Sequence, residues 1–176
     1  MRLCRFRQRL VDNDVMETTK PRIESKTVAL NGLKGAFGIF LKDLQALPET
    51  AFEQNFGGST RTVSDIVYEV NLVNDHVGMV IRGEEPFVWP DGGWIRAPKG
   101  FETKEVVVKA FEESSRRILE TVEAFTQVEI EKPLQTEDGE TNRFERCRFM
   151  TLHAWYHSGQ LNYVQTLLGD EVWHWK

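Results

Sequence analysis

The sequence predicts an all-α fold, a four-helix bundle with long crossover connections. Three observations lead there. Four segments carry apolar residues at the 3/4 spacing of an amphipathic helix. Loops with clear helix-start and helix-stop residues separate them. Two of those loops are too long for simple helix-to-helix turns. Long connections let neighbouring helices run parallel, as crossover bundles require. An α+β domain with a hairpin in residues 86–101 is the alternative arrangement.

The first segment covers about 24–47, with Leu30, Leu33, Phe37, Phe40, Leu41, Leu44 and Leu47 as its stripe. Pro48 stops it, and "FGGST" marks a turn. The second covers about 62–82. Thr62 with Asp65 resembles a capping box, and Gly83 is a C-terminal stop. Ile66, Leu72, Val73, Val77 and Val80 form its apolar stripe. "EEPFVWPDGGWIRAPKGFET" follows, with Trp89 and Trp94 in a loop rich in proline and glycine. The two rings are either a packed plug or a lid over a pocket. The third segment covers about 103–127, capped by Thr103, with Val107, Phe111, Ile118, Val122 and Phe125 inward. "EIEKPLQTEDGET" reads as a polar crossover. The fourth segment covers about 142–168 and ends at Gly169.

Composition excludes several classes. Hydrophobic residues at 40% and charged residues at 28% describe a globular chain, not a disordered one. A net charge of −5 argues against a general nucleic-acid binder. No apolar run reaches the roughly 18 residues of a membrane span. Cys4 and Cys147 make no paired framework, which points to a reducing, cytoplasmic setting. The first 22 residues carry Arg2, Arg5, Arg7 and Arg9 without the apolar core of a secretory signal. They read as a basic, loosely ordered extension ahead of a single domain at 23–176.

Polar residues on apolar faces carry the chemical information. On the fourth helix the wheel places His153, His157 and Gln160 at the centre of a side made by Phe149, Met150, Tyr156, Leu161, Val164, Leu167 and Leu168. Histidines at i and i+4 share one helical face and can hold one ion. The same spacing also arises by chance in core histidines bonded to neighbours. On the second helix Glu69 and His76 share the apolar stripe. A buried carboxylate must be protonated, hydrogen-bonded, paired or bound to a cation. The two lie roughly 10 Å apart along the axis, so only the one level with His153 and His157 can join them. Glu69 would give a two-His, one-carboxylate set suited to zinc, iron(II), manganese or nickel. His76 would give three histidines and favour zinc or nickel. Trp155 lies opposite this face with Gly159 one turn on. It suits either a dimer contact or cover by the N-terminal tail or the long loop.

"GGSTRTVSDIVYEVNLVNDHV" together with "LHAWYHSGQLNYVQTLLGD" resembles the DinB-like (YfiT-like) superfamily, over about residues 24–169. The His-x-x-x-His followed by Gly-Gln, here His153, His157, Gly159 and Gln160, is its most specific part. The resemblance implies a four-helix bundle with crossovers, often a homodimer, and a divalent metal held by three histidines. One of these comes from the second helix, where this chain has Glu69, with His76 seven residues on. Ser158 stands where the family commonly has arginine. The resemblance further implies metal-dependent thiol-transferase, isomerase or related hydrolase chemistry on a small-molecule substrate. A low-molecular-weight thiol would be the cosubstrate. Tyr156 and Gln160 are then candidates to orient ligands or substrate. A non-catalytic bundle with a degenerate metal site, acting as a stress-linked binding or scaffold protein, is the competing reading.

Overall fold

A computed structural model describes residues 23–90, 92–137 and 139–176; the basic extension expected at 1–22 lies outside the described residues. The described chain is mostly helical, with one small two-stranded sheet. Its elements are α1 (Ser25–Ala46), α2 (Val63–Arg82), α3 (Lys104–Ala124), α4 (Gln127–Glu131), β1 (Pro133–Thr136), β2 (Gly139–Asn142) and α5 (Arg143–Leu167). No described helix is long and apolar enough to cross a membrane.

Local signals set the helix ends. Thr62 and Asp65 form a reciprocal capping box at the start of α2. Gly83 closes the same helix in the left-handed region, at φ 78°. Thr103 caps α3 through the amide of Val106. Lys104 also donates its ammonium to the carbonyls of Gln45 and Leu47, at 2.7 and 2.6 Å. That satisfies the free end of α1, where cations are favoured.

The four long helices share one core. α1 packs on α5 and α3, and α2 packs on the same two neighbours. Phe40, Phe111, Leu33, Leu44, Ile118, Met150 and Leu161 are all fully buried within it. Phe111 of α3 meets Phe40 and Phe37 of α1, at ring separations of 4.5 and 5.9 Å. Between α2 and α3, Ser114 accepts from Asn74 and donates to Asn71. This buried network leaves those amides paired where α2 meets α3.

Three expectations need correction. The helix expected at 103–127 ends at Ala124. Phe125 is extended, and Thr126 with Glu129 forms a second capping box that starts α4. The polar crossover contains a hairpin, β1 with β2 in antiparallel register, whereas the described residues of 86–101 hold no strand. Arg143 ties this region down. It donates to the carbonyls of Ile81 and Glu129 and lies over the Phe125 ring, at 4.8 Å. The rotation of α5 also differs. Its buried side is Cys147, Met150, Ala154, His157, Ser158, Leu161, Val164 and Gln165. Phe149, Tyr156 and Leu167 are exposed, so His153 and Gln160 stand at the edge of the core, not at its centre.

The C-terminal segment folds back on α1 and α5. Trp175 donates its indole N–H to Asp43 Oδ1 at 2.9 Å and packs edge-on against Trp155. Among the described residues, the segment over Trp155 is thus the C-terminal one, and the expected N-terminal cover lies outside them. Asp43 is fully buried and also accepts from Ser158. Burial pushes its carboxyl above the usual range, and these two donors partly offset that. Trp175→Ala removes one donor and the ring contact. It should cost about 1–3 kcal/mol in a denaturant titration. A cost near zero would show that the segment is not anchored.

Candidate metal centre

α5 presents His153 and His157 on successive turns, and α2 packs alongside with Glu69 facing them. The two Nε2 atoms lie 3.1 Å apart. Glu69 Oε1 is 3.8 Å from each. Ligand atoms of all three residues fall within 4.8 Å of one another. His157 is 1% exposed in its side chain, His153 14% and Glu69 19%, so the cluster is enclosed but reachable from one side.

The surroundings fix how His157 presents itself. Its Nδ1 lies 2.8 Å from Gln160 Oε1, which can only accept. Arg61 Nη2 donates to the same oxygen at 3.2 Å, which confirms that the amide oxygen faces inward. Arg61 Nη2 also lies 3.5 Å from Nδ1, but the shorter contact to the Gln160 oxygen favours a proton on Nδ1, which leaves the Nε2 lone pair for His153 and Glu69. His153 can meet it as an Nε2–H donor. Moving that one proton to Nδ1 turns both lone pairs toward the same point.

Both imidazoles are held neutral. Burial, reinforced by the Arg61 charge, pushes His153 down to about 4. Burial, the neighbouring His153 and Arg61 push His157 down to about 3, against the hydrogen bond to Gln160. In the unfolded chain both take up protons as the pH falls through about 6.5. In the folded protein they resist until the pH nears those lower values. Between the two, the unfolded state binds more protons, so stability present above about pH 6.5 is lost progressively toward pH 4. Thermal melts of the metal-free protein should show this decline. The doubly substituted His153→Gln, His157→Gln protein should show a flatter profile across the same window.

Arg61 was not legible as a site residue. It precedes the cap of α2, has a side chain only 5% exposed, and pairs with Glu69 through Nη1. The indole of Trp94 lies over its guanidinium at 4.6 Å. Asp65 fixes the loop that carries Trp94, accepting from the Ala97 amide at 2.8 Å and from Arg96 at 2.7 Å. Burial opposes ionisation of Asp65, but these donors hold its carboxyl below the usual range. One capping residue thus starts α2 and positions the loop above the cluster.

The structure does not bring His76 to the pair. Its ring sits edge-on to Phe87 at 5.1 Å and to Trp89 at 5.6 Å, and its Nδ1 is buried without a partner. Of the two candidate donors on α2, Glu69 is the one level with the histidines. The tryptophans of the loop divide accordingly. Trp89 packs edge-on against His76 while staying 37% exposed, and Trp94 walls a pocket beside Arg61. Tyr156 and Gln160 also line that pocket, with the Tyr156 ring 4.9 Å from that of His157. Ser158 points the other way, to Asp43 of α1. The cation beside His157 is Arg61. Cys147 is buried off the cluster, and burial pushes its thiol up to about 12, too high for a ready nucleophile.

The donor set fits a divalent ion. Bonds near 2.0–2.1 Å at a tetrahedral angle place two imidazole nitrogens about 3.4 Å apart, close to the observed spacing. Glu69 would need to close in by about half an ångström to match the same geometry.

No family model matches this chain, and no curated protein matches it. Among solved structures, a conserved protein from Enterococcus faecalis is similar, with a TM-score of 0.63 at 13% identity. The similarity covers 84% of this chain and 99% of that one. At that identity the likeness concerns the fold alone.

Proposed function

We propose that this chain is a DinB-like four-helix bundle whose Glu69, His153 and His157 hold a divalent metal for chemistry on a small molecule. The placement of Glu69 Oε1 at 3.8 Å from both Nε2 atoms carries the reading. A zinc, nickel, iron or manganese ion bound there would lower the pKa of a coordinated thiol or water and so supply a nucleophile at neutral pH. Metal-dependent thiol transfer, isomerisation or hydrolysis is the reaction class, with a low-molecular-weight thiol as the cosubstrate of the first two.

The protein's own groups have definable tasks. His153 and His157 are neutral without having to release a proton at neutral pH. Gln160 holds His157 in one tautomer, and Arg61 orients Glu69 and Gln160 together. Tyr156 stands at the pocket edge, where it can contact substrate. A homodimer in the cytoplasm belongs to the same proposal. Exposed Leu152 on α5 supports the dimer, and sedimentation at micromolar concentration tests it.

The Arg61–Glu69 ion pair favours a second reading, because it already neutralises the carboxylate. On that reading the site is degenerate and the protein binds or scaffolds without catalysis. Two measurements on untagged protein decide between them. Stoichiometric metal after purification, and turnover of a thiol with an alkyl electrophile that stops on chelation, support the enzyme. Substoichiometric metal and no turnover in the metal-supplemented protein support the scaffold.

A further inference from the structure

We propose that the cavity beside Arg61 is a binding site for a small molecule with an aromatic or branched apolar body and a single anionic head group. The cavity measures about 380 Å³, within the size of small-molecule sites. Phe56, Ile66 and Val164 make its apolar walls, and Trp94 and Tyr163 supply ring faces. Trp94 is 58% exposed and Tyr163 64% exposed at the opening. Large aromatic residues left in water around one concavity mark a surface that an apolar body would cover.

Among the described residues, Arg61 is the one charged residue lining the cavity, and none of them lines it with a carboxylate. Glu69 approaches Arg61 from the histidine side. A guanidinium has five N–H donors, and Glu69 and Gln160 engage only part of that set. The Arg61 side chain is only 5% exposed, so its charge is poorly solvated, and the N–H groups left over from Glu69 and Gln160 can donate to an anion. A cationic ligand would meet Arg61 with no described residue of the cavity to offset it. Binding itself requires no metal. Only the placement of the ligand's head beside the histidines rests on the metal reading, through Gln160, which lines the cavity and bonds to His157.

Gly159 gives a clean way to close the cavity. It lines the wall, and a Cβ built there meets nothing within 4 Å. Gly159→Phe therefore fills the space while keeping α5 helical. The experiment titrates chelator-treated protein with two fluorescent probes of similar shape, anionic anilinonaphthalene sulfonate and neutral phenylnaphthylamine. The expected result is one saturable site, with the sulfonate bound about tenfold more tightly. Gly159→Phe abolishes binding of both without lowering the melting temperature, and Arg61→Gln brings the two affinities together. Equal affinities in the unsubstituted protein, or binding unchanged by Gly159→Phe, would overturn the proposal. A zinc-induced rise in melting temperature, measured on the same proteins, reports separately on the metal centre. It is expected to survive Gly159→Phe, so loss of the probe site and loss of the metal site are distinguishable.

Discussion

Zinc or nickel added to the metal-free protein should raise its melting temperature, and His157→Ala should abolish the rise. An ion at 100 times its dissociation constant stabilises the folded state by about 2.7 kcal/mol. For a chain of this size that is a rise of about 5–11 °C. His157 contributes one of three donors and is held in register by Gln160, so its removal takes away both the donor and its alignment. His153→Ala and Glu69→Gln should act in the same direction. Glu69→Gln keeps the shape but removes the negative charge that a dication and Arg61 both face. Without metal, His157→Ala should cost only about 1–3 kcal/mol, for lost packing and one lost hydrogen bond to Gln160, whose oxygen keeps Arg61 as a donor. The difference between melts with and without metal therefore reads the site, and the metal-free melts read the packing. A curve unmoved by zinc, nickel, manganese and iron(II) would sink the metal centre.

Phe111→Ala should lower the stability by about 3–5 kcal/mol, the usual cost of deleting a buried aromatic ring. The ring is 1% exposed and bridges α3 to Phe37 and Phe40 of α1. The substitution opens a cavity where those two helices meet, and neither backbone can close over it without moving. Urea unfolding should show a lower midpoint at an unchanged slope, as a change in stability alone requires. A cost below about 1 kcal/mol would mean that α3 is held mainly by other contacts.

Helix ends were legible because they depend on neighbours in sequence. Thr62, Asp65, Gly83, Thr103 and Gly169 act within one turn of their own backbone. The break at Phe125 also had a local signal, since Thr126 with Glu129 has capping-box spacing. The apolar stripe ran through it and hid it. "DG" at 138–139 is a hairpin signal, but the flanking strands are too polar to show alternation. The rotation of α5 is not legible in the sequence for a different reason. Apolar and aromatic residues stand all round this helix, because different faces meet the core, the pocket and the C-terminal segment. A wheel finds the buried side only when the other side is polar.

The sequence by itself determined four amphipathic helices, their caps, and a His153–His157 pair on one face of the last helix. These follow from periodicity and from hydrogen bonds between residues a few positions apart. Tertiary structure decided which residue of α2 stands level with that pair. The choice between Glu69 and His76 depends on how far α2 slides along α5, and that is set by packing across the core. Neither residue's own neighbours carry that information. The role of Arg61 was decided the same way. Nothing in "STRTV" distinguishes a surface arginine from one that folds under Trp94 to meet Glu69 and Gln160. Only the approach of the loop, α2 and α5 buries that charge and makes it part of the site.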